Sequence, residues 1–215
     1  DRIRYALEFL NYGSKYERGG GGRDGGYMAD YIGTGVTIQN LVNHIENKTP
    51  STWTPLAEAL YESKRYFAAQ TSYYNGGINY AAHDPMLWWC QKNFVILITD
   101  GESTMDRNMP SCLRDYDNDN DDPIPSGENP NEYPWNEYGS DYLDDVALYM
   151  HTSDIRPDLQ ATQTMHLFAI YCFGNAPAAE GILQRAAING AFDDVNGNNR
   201  PDLQGEWDGD GDGIP

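Results

Sequence analysis

Apolar and polar residues alternate at the start of the chain. Ile3, Tyr5, Leu7 and Phe9 fall on one side and Arg4 and Glu8 on the other, so residues 3–10 are expected to form a strand, with a short helix as the alternative. Asn11 to Gly26 is turn-like and contains Gly19-Gly20-Gly21-Gly22; Tyr27 to Ile32 suits a short return strand. The period then changes. Ile38, Leu41, Val42 and Ile45 stand at i, i+3, i+4 and i+7 behind Thr37, a good N-cap, which predicts a helix. A second helix is expected from Thr54-Pro55, with Thr54 as cap, Pro55 in the first turn, and Leu56, Ala59, Leu60, Ser63 and Phe67 on its inner face.

After a polar, tyrosine-rich stretch to about Gln91, Phe94-Val95-Ile96-Leu97-Ile98-Thr99 is continuously apolar up to Asp100-Gly101. Such a run reads as a strand buried on both faces. Residues 102–139 have no periodicity and are rich in Asp, Asn and Pro, an insertion of a length that is usually functional or disordered. Leu143, Val146, Ala147 and Met150 restore a helix behind Ser140. Met165 to Phe173 gives another buried strand, and Ala178 to Ile188 a helix stopped by Asn189-Gly190. Strands alternating with helices imply an α/β domain with a mainly parallel sheet, in which residues 94–99 and 165–172 are neighbouring strands. The expected division is a domain over residues 1–191 and a polar tail over residues 192–215.

Charge alters this picture more than size does. A formal net charge of −19 argues against nucleic acid and anionic membrane surfaces, whose phosphates require Lys and Arg, and favours divalent cations. No apolar run approaches the roughly 20 residues of a membrane span. Asp1-Arg2-Ile3-Arg4 does not resemble a signal peptide, so any export signal is expected to have been removed or to lie upstream. The cysteines number 3, too few for a disulfide scaffold and with no Cys-x-x-Cys pair. Cys112 and Cys172 each follow the carboxyl end of a predicted strand and are expected to lie within bridging reach, which leaves Cys90 as the better candidate for a free thiol or for an upstream partner.

The acids are clustered. Asp208-Gly209-Asp210-Gly211-Asp212-Gly213-Ile214 has carboxylates at positions 1, 3 and 5 of a calcium loop, glycine at 6 for the sharp turn, and a carbonyl at 7. Asp194, Asn196, Asn198 and Asp202 occupy positions 1, 3, 5 and 9 of a similar loop, with Asn199 at the glycine position and Gly205, not Glu206, at position 12. Asp115, Asp117, Asp119 and Asp121 repeat the alternate spacing without the glycine. Without an ion these carboxylates would repel one another, and the competing reading is a solvated acidic turn. Calcium is therefore expected to fold the tail, with Leu203, Trp207 and Ile214 packing on the main domain.

Asp100 ends an apolar strand, where open α/β sheets bind ligands, and Thr54 offers a hydroxyl at a helix start. Thr54-Pro55-Leu56-Ala57-Glu58-Ala59-Leu60 and Ile96-Leu97-Ile98-Thr99-Asp100-Gly101 resemble two of the three motifs of the metal-ion-dependent adhesion site (MIDAS) of von Willebrand factor A domains. The resemblance implies that fold, with its first strand and helix upstream of Asp1, and an adhesion-type site at Thr54 and Asp100 that takes Mg2+ or a similar ion and an acidic group from a ligand. The family's first motif, D-x-S-x-S, does not occur in the chain. Trp53 to Tyr61, Cys90 to Gly101, Tyr142-Leu143-Asp144-Asp145-Val146-Ala147 and the flanking Asp-rich segments are similar to PilY-type proteins. That likeness implies an extracellular protein of the cell surface, associated with type IV pili, whose partners are pilus or other surface proteins or a host ligand with an acidic group.

Two other classes compete. The four histidines show no metalloprotease spacing, and no nucleophile elbow, P-loop or dinucleotide fingerprint is present, so no enzyme is expected; a chelatase-type subunit is the remaining catalytic reading. A filament or coat component that uses calcium only for rigidity is the non-adhesive alternative.

Overall fold

A computed structural model describes residues 3–11, 24–33, 37–49, 53–122, 129 and 138–215. The four-glycine run, residues 123–128 and residues 130–137 of the insertion lie outside them. The elements are β1 (Leu7–Leu10), β2 (Gly26–Asp30), α1 (Ile38–Glu46), α2 (Leu56–Phe67), β3 (Phe94–Thr99), α3 (Leu143–Thr152), β4 (His166–Tyr171), α4 (Pro177–Ala191) and α5 (Gln204–Trp207). The fold is mixed α/β, as the alternation of periods implies.

β3 and β4 pair in parallel, from Phe94 opposite His166 to Thr99 opposite Tyr171, as expected of neighbouring strands joined by a helix. The rest of the expected sheet is not formed. Among the described residues there are two separate two-stranded sheets, the parallel pair and an antiparallel β1–β2 hairpin. The first strand is also shorter than residues 3–10: its regular part starts at Leu7, and Ile3 is 78 % exposed. Nor are the apolar strands covered on both faces. Val95, Leu97, Leu167 and Ala169 face the core, while Phe94, Ile96, Ile98, Phe168 and Ile170 are exposed. A continuous apolar run signals potential for burial on two sides; it does not supply the second layer.

α2, α3 and α4 form the helical layer, with α3 packed on α2 and α4, and α4 on β4. The expected inner face of α2 is buried, and so is nearly every other position of that helix except Arg65. Leu143, Val146, Ala147 and Met150 of α3 enter the same core. Asn189-Gly190 does not stop α4, which runs on to Ala191. Gly190 is there for proximity: a Cβ on it would lie 2.7 Å from that of Leu167 and 3.3 Å from that of Ala147, so its absence lets α4 close on β4 and α3. α1 forms where the periodicity places it, with the Thr37 hydroxyl accepting from the Asn40 N–H, yet none of its residues is buried. Its C-terminal end is tied to the hairpin by His44 and Asp30 at 2.6 Å.

Thr54 does not cap α2. The helix starts at Leu56 and no side chain at its own N-terminus caps it. Asp106, from the insertion, does so: its Oδ2 accepts from Ala57 N–H and its Oδ1 from Glu58 N–H, both at 2.9 Å. Burial pushes the Asp106 carboxyl up to about 7, against the opposing bonds from Ser103 and those two amides. The insertion is thus partly core: Met105, Asp106, Met109 and Leu113 are buried.

Candidate metal centres

The insertion loop and the start of α3 build the principal centre. Asp115, Asp117 and Asp119 project inward by their alternate spacing, and the backbone turns left-handed at Asn118 (φ 63°), between the last two, and at Asn120 (φ 56°), just after them. The missing glycine of this loop is replaced by asparagine, the non-glycine residue that best tolerates such a conformation. The loop is pinned by Asp145, whose Oδ1 accepts from the backbone N–H of Tyr116 and, at 3.0 Å, of Asp117.

Asp115, Asp117 and Asp145 each offer an oxygen within 4.8 Å of the others, and so do Asp117, Asp119 and Asp144. Asp117 is shared between the two triads. Asp121 belongs to neither; its carboxylate pairs with Arg185 of α4 at 3.2 Å. Arg185 also reaches Asp141 at 3.1 Å and Asp144 at 3.4 Å. Asn189 of α4 donates to Asp117 at 3.1 Å, and Arg200 of the tail donates to the Asp117 carbonyl at 2.5 Å. Helix α4 and the tail are both drawn onto the loop.

Asp121, Asp144 and Asp145 resist ionisation. Burial pushes Asp144 up to about 8, with Asp117, Asp121 and Asp145 adding repulsion that Arg185 only partly offsets. Burial also raises Asp145 to about 7, against the bonds that it accepts from the loop, and Asp121 to about 7, with Asp119 and Asp141 adding to the shift. Asp144 and Asp145 are only 2 % and 1 % exposed, so their charge is costly unless an ion or cation meets it. Every candidate donor is an oxygen, which suits a hard divalent cation.

The tail carries a second, local arrangement. Asp208, Asp210 and Asp212 bring an oxygen each within 4.8 Å of one another. Asp208 accepts from the N–H groups of Gly211 (2.6 Å), Asp212 (3.1 Å) and Gly213 (2.8 Å). A bond from the Gln204 amide, together with these, holds its carboxyl below its ordinary value. In the preceding loop Asp194 accepts from Gly197, Asn198 and Asn199 at 2.8, 3.1 and 2.9 Å, and is likewise lowered, first by Asn199. Asn196 and Asn198 both donate to Asp202, at 2.8 and 3.0 Å, so those four residues do converge. Asn199, at the glycine position, has φ 58°. Glu206 is buried and accepts from Val195 and Leu203 N–H groups at 3.1 and 3.2 Å, which closes the loop's two ends. The expected packing of Leu203 and Ile214 does not occur, since they are 47 % and 65 % exposed; Trp207 is half-buried, and Phe192 at the start of the tail is buried against His151.

Thr54 and Asp100 are not brought together by any hydrogen bond. Thr54 pairs through its backbone with Thr104, donating to Thr104 Oγ1 at 2.9 Å and accepting from Thr104 N–H at 3.0 Å. Asp100 is exposed at the end of β3 and joins no acidic triad among the described residues. Cys90, Cys112 and Cys172 are all unbridged.

Sequence reading named the loop carboxylates and missed Asp144 and Asp145 as their partners. Two acids in the first turn of a helix are ordinary complements of the helix dipole. What distinguishes them is burial, since α3 is enclosed on all sides over Leu143–Leu148, and periodicity shows only the apolar stripe. No protein-family model matches the chain, and neither a curated protein nor a solved structure does so. No helix among the described residues is long and apolar enough to cross a membrane.

Proposed function

We propose that the chain is a calcium-stabilised extracellular binding module of the von Willebrand factor A kind, acting in type IV pilus-associated surface attachment or pilus assembly. The observation that carries the calcium half is the convergence of Asp115, Asp117 and Asp119 with the buried Asp144 and Asp145 from a remote helix. Buried carboxylates without matching cations cost stability, and an all-oxygen set of this size fits calcium best. Asp115, Asp117, Asp119, Asp144 and Asp145 would hold ions in the main centre, and Asp208, Asp210 and Asp212 in the tail. Bound ions would neutralise the acids and fix α3, α4 and the loop together.

The adhesive half rests on the sequence resemblance and on the parallel β3–β4 pair that ends at Asp100. Calcium used only for rigidity is the second reading. It is favoured by the position of the triads, which lie against α3 and in the tail and do not include Asp100. Retention of the purified chain on immobilised type IV pili, with calcium and with chelator, separates the two. The adhesive reading expects retention that calcium promotes and that Asp100→Ala weakens without changing the melting temperature. No retention under either condition would leave calcium with a structural role alone.

A further inference from the structure

Away from the acidic centres, the β1–β2 hairpin is fastened to α2 through an unusual contact. Glu8 of β1 points at the helix, and its Oε2 accepts from the Ser63 hydroxyl. Its Oε1 is buried and has no hydrogen-bond partner. Gly26 of β2 lies so close that a Cβ there would collide with this carboxyl group, so it has no room to move sideways. The titratable groups that face Glu8 are Glu62 of α2 and Tyr80, which opens the short turn Tyr80–His83 within the tyrosine-rich stretch. Glu62 is itself occupied, accepting from the Tyr80 hydroxyl and from Tyr73 N–H at 3.0 Å. No cation among the described residues faces Glu8.

A carboxylate in this position would lie beside a second acid, with one oxygen bonded to nothing. A neutral carboxyl needs no counter-charge, and its carbonyl oxygen is far less costly to leave unbonded. Leu7–Leu10 contains no fully buried residue. The hairpin's other polar ties are the Gly25 N–H on Glu58, the Asn75 amide on the Gly26 carbonyl, the Ile32 N–H on the Tyr66 hydroxyl, the Asn11 amide on Asn75, the Asn108 amide on Asp24, Lys48 on the Tyr27 hydroxyl and the His44–Asp30 pair, none of them made by a residue of Leu7–Leu10.

We propose that Glu8 is a proton-operated latch: uncharged, it seats the β1–β2 hairpin on α2, and its ionisation releases the hairpin while the rest of the fold stays closed. Burial, with Glu62 adding repulsion and Ser63 opposing, pushes the Glu8 carboxyl up to about 8. The folded state therefore holds a proton that the released hairpin gives up near the ordinary value of 4.5. Seating weakens as pH rises from about 4.5 to about 8 and is constant above that.

Hydrogen exchange at the backbone amides, corrected for intrinsic rates and recorded from about pH 6 to about pH 8.5, reads this directly. Protection of Leu7–Leu10 and Gly26–Asp30 should fall at least about tenfold across that range, while the β3–β4 amides hold theirs. Glu8→Gln should remove the fall. The carboxyl-carbon NMR signal of Glu8 in the unmodified protein supplies an independent reading, with a midpoint expected near 8. An unchanged fall in Glu8→Gln, protection that does not fall in the unmodified protein, or a midpoint below about 6.5, near the usual carboxylate range, overturns the proposal. Should Glu8→Gln fail to fold, the titration of the unmodified protein decides alone.

Discussion

The acidic loop at 115–121 and the acidic loop at 208–214 have the same alternating aspartates and opposite electrostatics. In the tail, Asp208 is met by three backbone N–H groups of its own loop, and its carboxyl is held below its ordinary value. In the insertion, Asp117 meets Asp144 and Asp145 from a buried helix, and burial drives those carboxyls up. The tail loop is organised by local backbone and is ready for an ion. The insertion loop is organised by tertiary packing and, without one, carries repulsion that Arg185 only partly offsets. An ion at the first site adds order where order already exists; at the second it removes a cost that runs through α3, α4 and the tail. Calcium should therefore stabilise the whole fold through the insertion and only its own segment through the tail.

The largest effect that can break this contrast is loss of Asp145. Asp145→Ala removes an ion ligand and strands the Tyr116 and Asp117 amides, and should cost about 3 kcal/mol in calcium, read by denaturant unfolding. Asp145→Asn keeps part of the hydrogen bonding and should lose chiefly the calcium-dependent share. Arg185→Met comes next. Arg185 is the cation that reaches Asp121, Asp141 and Asp144, and is itself 40 % exposed, so its removal should cost about 1 kcal/mol in chelator. The cost should shrink in calcium, because the ion takes over the neutralisation; an equal cost in both conditions would show that Arg185 and the ion do not share the site. The smallest effect is Asp210→Ala. Calorimetry should lose the tail's calcium-binding event, while unfolding of the core moves by no more than about 0.5 kcal/mol, as for a surface change. A large destabilisation there would reverse the comparison.

What the sequence showed follows from which forces are local. The β3–β4 pair and the helices α1 to α4 are written in apolar spacing, and the tail loop is written in consecutive residues, Asp208 to Gly213. The inward turn of Asp115, Asp117 and Asp119 was legible for the same reason. Their union with Asp144 and Asp145 was not, because it depends on α3 being enclosed on every side. The capping of α2 by Asp106 was likewise hidden: Thr54-Pro55 is a good local start signal, but a carboxylate from about 50 residues away in the chain reaches Ala57 and Glu58 first. The exposed face of Phe94, Ile96 and Ile98 shows the converse, an apolar pattern that states a preference for burial without naming what covers it.

The central claim is that calcium acts on the fold through the insertion centre. Thermal unfolding near neutral pH, in chelator and in millimolar calcium, tests it most directly when the unmodified protein, Asp145→Asn and Asp210→Ala are compared. A gain of about 2–3 kcal/mol at saturating calcium corresponds to a rise of several degrees for a chain of this size. The account predicts that rise in the unmodified protein and in Asp210→Ala, and its loss in Asp145→Asn. No rise in the unmodified protein, or a rise kept by Asp145→Asn and lost by Asp210→Ala, would contradict it.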